Sequence, residues 1–206
     1  MAMNRFPITN VEGDLVAQYR NPDEKFYASL ELNQVAFPKT GMVVSQTPLG
    51  AAFTRQAPCE NGMWVVGDKA AGAINPPTAA TSAPIGIVYT TEKEYDDYHM
   101  GLQRFGRKVA GDYPRVGLLG VGDTVTTNCL QYNTTNFAND AALDTALKAI
   151  DTTPLYVAIA TGATGSAAAV PEIVKTIPQA GIYAKIVKYY TIPNGGKGVK
   201  YQIIRI

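Results

Sequence analysis

One histidine, two cysteines and one tryptophan are all that 206 residues contain of those types, and this scarcity removes much ordinary active-site chemistry. His99 stands between Tyr98 and Met100, with no G-x-S-x-G elbow in the chain and no cysteine close by in sequence, so a Ser or Cys triad has no basis. A structural zinc site cannot be filled from one His and two distant Cys. His99 reads as a surface or loop residue, and the chain is expected to be neither an enzyme nor a holder of cofactor or metal.

Charge is scarce too. Only 17% of residues are charged, and 18 Lys plus Arg against 17 Asp plus Glu leave a net charge of +1, which gives no global pull toward nucleic acid or anionic lipid. Any electrostatic partner must be met locally. A freely diffusing domain usually carries more solvating charge, so the low fraction points to an assembly subunit whose surface is covered in use. Long apolar runs are missing: MAMNRFPITN has no signal-peptide core, and nowhere do about eighteen apolar residues follow one another. The expectation is synthesis in a cytoplasm without a membrane partner, and Cys59 and Cys129 as buried free thiols.

What is plentiful is turn and strand material: 46% hydrophobic residues, 19 Gly, 13 Pro, 12 Tyr and frequent Thr. This composition predicts a mainly β protein, with antiparallel sheets forming a sandwich or barrel-like domain, one clear short helix at 140–150 and a second at 171–177. The chain divides into an extended N-terminal arm (1–13), a β subdomain (14–74), a Pro-rich loop or linker (75–84) and a main β domain (85–206). The arm shows no period, and a neighbouring subunit could hold it if this domain does not.

Alternation marks the strands. Phe26, Ala28, Leu30 and Leu32 alternate with polar partners through Asn33, after a turn at Arg20–Asp23 from a strand near Asp14–Tyr19; Val35 and Phe37 then fall out of phase, as a bulge would make them. Further strands are read at Met42–Ser45, Met63–Val66, Ile85–Thr90 and Leu155–Ala160. Trp64, with apolar neighbours on both sides, belongs to the core. Between Thr90 and Tyr113 lies a long excursion, acidic at Glu92–Asp97 and basic at Arg104–Lys108. The acidic part reads as a solvated loop, since nothing in it matches the spacing of an EF-hand.

Two hairpins stand out. Val116–Val121 and Thr124–Leu130 flank Gly122-Asp123, which suits a two-residue II′ turn, and Pro114 holds Tyr113 extended before them. Ile182–Ile192 and Val199–Ile206 flank the glycine-rich turn 193–198. The first helix is signalled by Leu143, Ala146, Leu147 and Ile150 at i, i+3, i+4 and i+7, with Asn139 or Asp140 as cap and Phe137 as staple. Pro171 would open the second and Pro178 would end it.

Glycine-rich stretches fail as nucleotide loops. In NGGKGVK, from Asn194, the glycine span is too short, no Ser or Thr follows the lysine and a strand comes next, so a hairpin turn is the reading. TGATGSAAA, from Thr161, has only GxxG and reads as a small-residue loop. The C-terminal hairpin from Gly181 is more informative: it holds Lys185, Lys188, Lys197, Lys200 and Arg205 and no acid, interleaved with Tyr183, Tyr189, Tyr190 and Tyr201. Basic strands with aromatics serve single-stranded nucleic acid binders, but the rest of the chain cancels the charge, which favours a docking face for an acidic protein.

The order IGIVYTTEKEYDDY, then GLQRFGRKVAGDYPRVGLLGVGDTVTTNCL, within Ile85–Leu130, resembles head proteins of tailed bacteriophages, specifically the auxiliary (decoration or cement) proteins that bind the assembled capsid. The piece that carries it is YPRVGLLGVGDTVTTN. The resemblance implies a β-rich homo-oligomeric virion protein, with a trimer as one arrangement, synthesised in the host cytoplasm and docked in many copies on the major capsid protein lattice at the capsid surface. Candidate contact residues are Arg5 and Phe6 of the arm and Lys185, Lys188, Lys200 and Arg205 of the hairpin. Alternatives are a tail-tube or other tail structural subunit, and a nucleic-acid-binding module using the basic hairpin.

Overall fold

Two sheets that share one core make up the computed structural model, which describes residues 3–5, 43–44, 47–68, 72–78, 81, 84–89, 107–191 and 197–206. The larger sheet has seven strands in the order β1 (Met3–Arg5), β10 (Gln131–Asn133), β12 (Glu172–Val174), β11 (Tyr156–Ala158), β13 (Tyr183–Thr191), β14 (Lys197–Arg205) and β9 (Thr124–Thr127). Only β10 and β12 run parallel. The smaller sheet is antiparallel, in the order β2 (Val43–Val44), β8 (Val116–Leu118), β6 (Ile85–Val88), β4 (Trp64–Asp68) and β5 (Ala73–Asn75). β3 (Cys59–Glu60) and β7 (Arg107–Lys108) form a separate pair.

The two-residue period of β4 explains how the smaller sheet is buried on both faces. Trp64 joins a core with Val125, Ile186, Tyr201 and Ile203 of the larger sheet, while Val65 joins a second cluster with Phe53, Met63, Cys59 and Cys129. Trp64 Nε1 donates to the Tyr201 hydroxyl at 3.0 Å, and the two rings meet edge to face with centroids 6.0 Å apart. Burial pushes the Tyr201 phenol far up, so the hydroxyl stays protonated. That bond ties the two sheets at their seam.

The mainly β fold and the first helix follow the sequence reading. The helix, α1 (Asp140–Lys148), is capped by Asn139, whose Oδ1 accepts from Ala142 N at 2.9 Å, and it buries Leu143 and Leu147 on the core. β13 and β14 are the expected C-terminal hairpin.

The stretch 113–130 departs from its reading, because β8 and β9 do not pair with each other: β8 belongs to the smaller sheet and β9 to the larger. The turn exists, but it is a crossing between sheets. Asp123 N donates to Gly120 O at 3.1 Å and Asp123 Oδ2 accepts from Gly120 N at 2.6 Å, with Gly122 at φ +97° in the third position, the geometry of a type II turn and not II′. Each strand finds a better partner than its neighbour in sequence, β9 in β14 and β8 in β6.

Residues 171–177 form no helix. β12 fills the slot between β10 and β11, with Ile173 fully buried. Seven residues bounded by prolines hold fewer than about two helical turns, too few to offset nucleation, whereas the β-branched pair Ile173-Val174 suits a central strand. Helical turns instead occupy Gly165–Ala169, a 3-10 helix within the stretch read as a loop. β4 and β6, on either side of the Pro-rich stretch, pair in the smaller sheet. Met3–Arg5, the described part of the arm, adds to the chain's own β10. The expectations at Phe6, Asp14–Tyr19, Phe26–Phe37, Glu92–Asp97 and His99 lie outside the described residues.

Candidate docking face

Alternation along the C-terminal hairpin sorts its side chains. Ala184, Ile186, Val199, Tyr201 and Ile203 are buried in the core, whereas Lys185 and Lys188 are exposed and Lys200 is half-buried. Across the ladder Lys188 stands directly opposite Lys200, and Lys185 opposite Gln202. Among the described residues none of these three lysines has an ion-pair partner. Lys188 Nζ lies 5.1 Å from the centroid of the Tyr190 ring, and the Tyr190 hydroxyl donates to Thr126 Oγ1 at 3.0 Å.

Two register shifts interrupt the hairpin, one between Tyr183 and Ala184 and one between Ile186 and Lys188. Each leaves one residue without an opposite number. Those residues are Ile204 and Val187, and both are exposed. The face thus mixes lysines with aliphatics.

The remaining sequence candidates sit elsewhere. Arg205 donates from Nε to Gly181 O at 2.9 Å and from Nη2 to Pro178 O at 2.7 Å, and its guanidinium lies over the Tyr183 ring at 4.8 Å, so it ties the 178–181 loop to the strand end. Lys197 donates to Thr191 Oγ1 at 2.9 Å and approaches the Tyr189 ring, whose hydroxyl donates to Asp144 of α1 at 2.6 Å. The Lys148 contact, then that of Tyr189, holds the Asp144 carboxyl below its usual value. Arg5 is on β1, at the far edge of the sheet and separated from β13 by three strands. Phe6 lies outside the described residues.

A second polar site was not legible in the sequence. Glu172 on β12 is buried, and its two carboxylate oxygens accept from the Asn133 side chain, from Asn136 Nδ2 at 3.4 Å and from Thr161 N at 3.0 Å. No cation is among these donors, and burial raises the Glu172 pKa despite them. A shallow cleft of about 230 Å³ lies alongside, lined by Asn136, Thr161 and Thr176 and by apolar side chains such as Ile159 and Val174. The carboxylate's bonds link β10, β12 and the loop after β11, which is the work of a structural tie. Nearby, Gln131 Nε2 donates to the carbonyls of Ala167 and Val170 at 2.7 and 2.5 Å, fixing the 3-10 helix to β10.

Cys59 and Cys129 are free and buried, and burial, with Cys129 and Glu60 adding to it, pushes the Cys59 thiol well up. Such a thiol is a poor nucleophile. Among the described residues no group of three His, Cys, Asp or Glu is placed to hold a metal, and no helix is long and apolar enough to cross a membrane. No known family, curated protein or solved structure matches the chain. The functional reading rests on the face itself.

Proposed function

We propose that the chain is a structural binding subunit, an auxiliary protein that docks its β13–β14 face on the outer surface of a bacteriophage head and stabilises it. The observation that carries this reading is the Lys188–Lys200 pair. Like charges directly opposite in an antiparallel ladder destabilise it, and here Lys185 adds a third positive charge to the same face, with no ion-pair partner among the described residues. A cost to folding that packing does not explain suits an acidic partner that arrives later. The partner is the major capsid protein lattice, met by many copies of a homo-oligomeric chain in shallow contacts that add by multivalency.

The face suits nucleic acid less well. Tyr201 is buried and Tyr189 is bonded to α1, while Tyr183 is covered by Arg205 and Tyr190 lies under Lys188, so few rings are presented for stacking. Co-sedimentation with heads purified from phage lacking this chain tests the proposal. Wild-type protein should pellet with the heads, and Lys188→Glu with Lys200→Glu should stay in the supernatant. Failure of the wild type to bind any head preparation would sink the reading, and its spontaneous assembly into tubes would favour a tail subunit.

A further inference from the structure

The end of β14 gathers exposed aliphatics from separate parts of the chain. The 120–123 turn is fastened to it by Gly122 N donating to Ile203 O at 2.9 Å and by Gln202 Nε2 donating to Gly122 O at 3.3 Å. The 178–181 loop is fastened to it by Arg205. Around these bonds Val121 is 42% exposed, Ile177 48%, Ile204 40% and Ile206 51%, whereas Ile186, Val199 and Ile203 of the same hairpin are buried. Single exposed aliphatics are ordinary; several fastened at one strand end are not. Ile204 and Ile206 continue the outward side of the alternation that buries Tyr201 and Ile203, and the register shift leaves Ile204 without a residue opposite it on β13.

We infer that this strand end is the apolar anchor of the docking face, covered in use by an acidic protein surface whose apolar contact seats Ile204 with Val121 and Ile206. The inference rests on the docking reading above. Charge selects the occupant: Lys185, Lys188 and Lys200 continue the same sheet, so a second copy laid face to face would set lysine against lysine, while an acidic partner meets them favourably. An apolar centre beside a charged rim is the anatomy of a protein interface. The two parts then divide the work, the lysines governing approach and salt dependence and the aliphatics governing residence.

The test measures dissociation of the full chain from immobilised heads that lack it, at about 0.1 M and about 1 M salt. Ile204→Asp and Ile206→Asp, each checked for an unchanged thermal midpoint, should dissociate roughly tenfold faster than wild type at both salt concentrations. Lys188→Gln should instead slow association, and only at the lower salt. Wild-type rates for both aspartate variants, with the wild type still bound, would overturn the anchor and leave the docking reading standing. No binding by the wild type would overturn both. A wild-type oligomer that Ile204→Asp dissolves would assign the patch to a second copy and overturn the inference.

Discussion

The stretches 113–130 and 182–206 read alike in the sequence, each as two β-prone runs around a glycine turn, yet only the second folds as a hairpin. β13 and β14 pair with each other over nine residues each, bulges included. β8 and β9 separate at Gly122, and each joins a different sheet. A turn fixes where the chain bends, while the neighbouring strands decide what the bent ends pair with. In the C-terminal stretch the longest ladder available is the local one. In the 113–130 stretch β14 and β6 offer more than the strands can offer each other.

The hardest blow to that arrangement is struck at the seam. Trp64→Ala should cost about 3–5 kcal/mol in urea unfolding, since it empties a fully buried site shared by the two sheets. A loss under about 1 kcal/mol would mean that the sheets do not depend on this contact. Tyr201→Phe is milder: it leaves Trp64 Nε1 without its acceptor and should cost about 1–3 kcal/mol while keeping the ring packing.

Gly122→Val probes the crossing itself. No atom lies within 4 Å of the position a Cβ would take, so the expected loss of about 1–2 kcal/mol comes from the positive φ alone, and docking should survive in the folded fraction. A variant of wild-type stability that no longer docked would reassign this turn from scaffold to interface. In the true hairpin the contrast runs the other way: Lys200→Glu, placed opposite Lys188, should raise stability by about 0.2–1 kcal/mol while docking is lost. Equal or lower stability would remove the argument that the lysine pair is held at a cost.

The last effect is a slope. Because the folded-state pKa of Glu172 lies above its usual value, the native protein holds that proton more tightly than the unfolded chain does. Its unfavourable contribution is therefore full above the raised pKa and fades as pH falls toward the ordinary glutamate value, so the thermal midpoint gains a component rising with acidity across that window. Glu172→Gln should remove this component, which a midpoint series against pH for both proteins would show. An unchanged difference between them across the series would contradict a raised pKa.

Much of the fold was legible because local physics dictates it. The 3.6-residue spacing of Leu143 and Leu147 after Asn139 made α1 readable, and two β-prone runs around a glycine-rich turn marked β13 and β14. Trp64 was legible as core from its apolar neighbours alone, but its bond to Tyr201, 137 residues away, was not. Lys185, Lys188 and Lys200 were visible as a basic cluster; that Lys188 faces Lys200, and that Arg205 and Lys197 are engaged elsewhere, required the register. Glu172 with Asn133 and Asn136 left no signal, because polar residues scattered over 39 positions reveal a network only once β10 and β12 lie side by side.

Local signals in the sequence settled the class of fold, the first helix and the sign of charge on the last strands. Those follow from periodicity, capping and composition, which act within a few residues. The tertiary fold settled that residues 113–130 cross between sheets, that residues 172–174 are a strand, and that Lys188 stands opposite Lys200. Each depends on which strand lies alongside, and that competition among distant partners is settled by the packing of the whole chain.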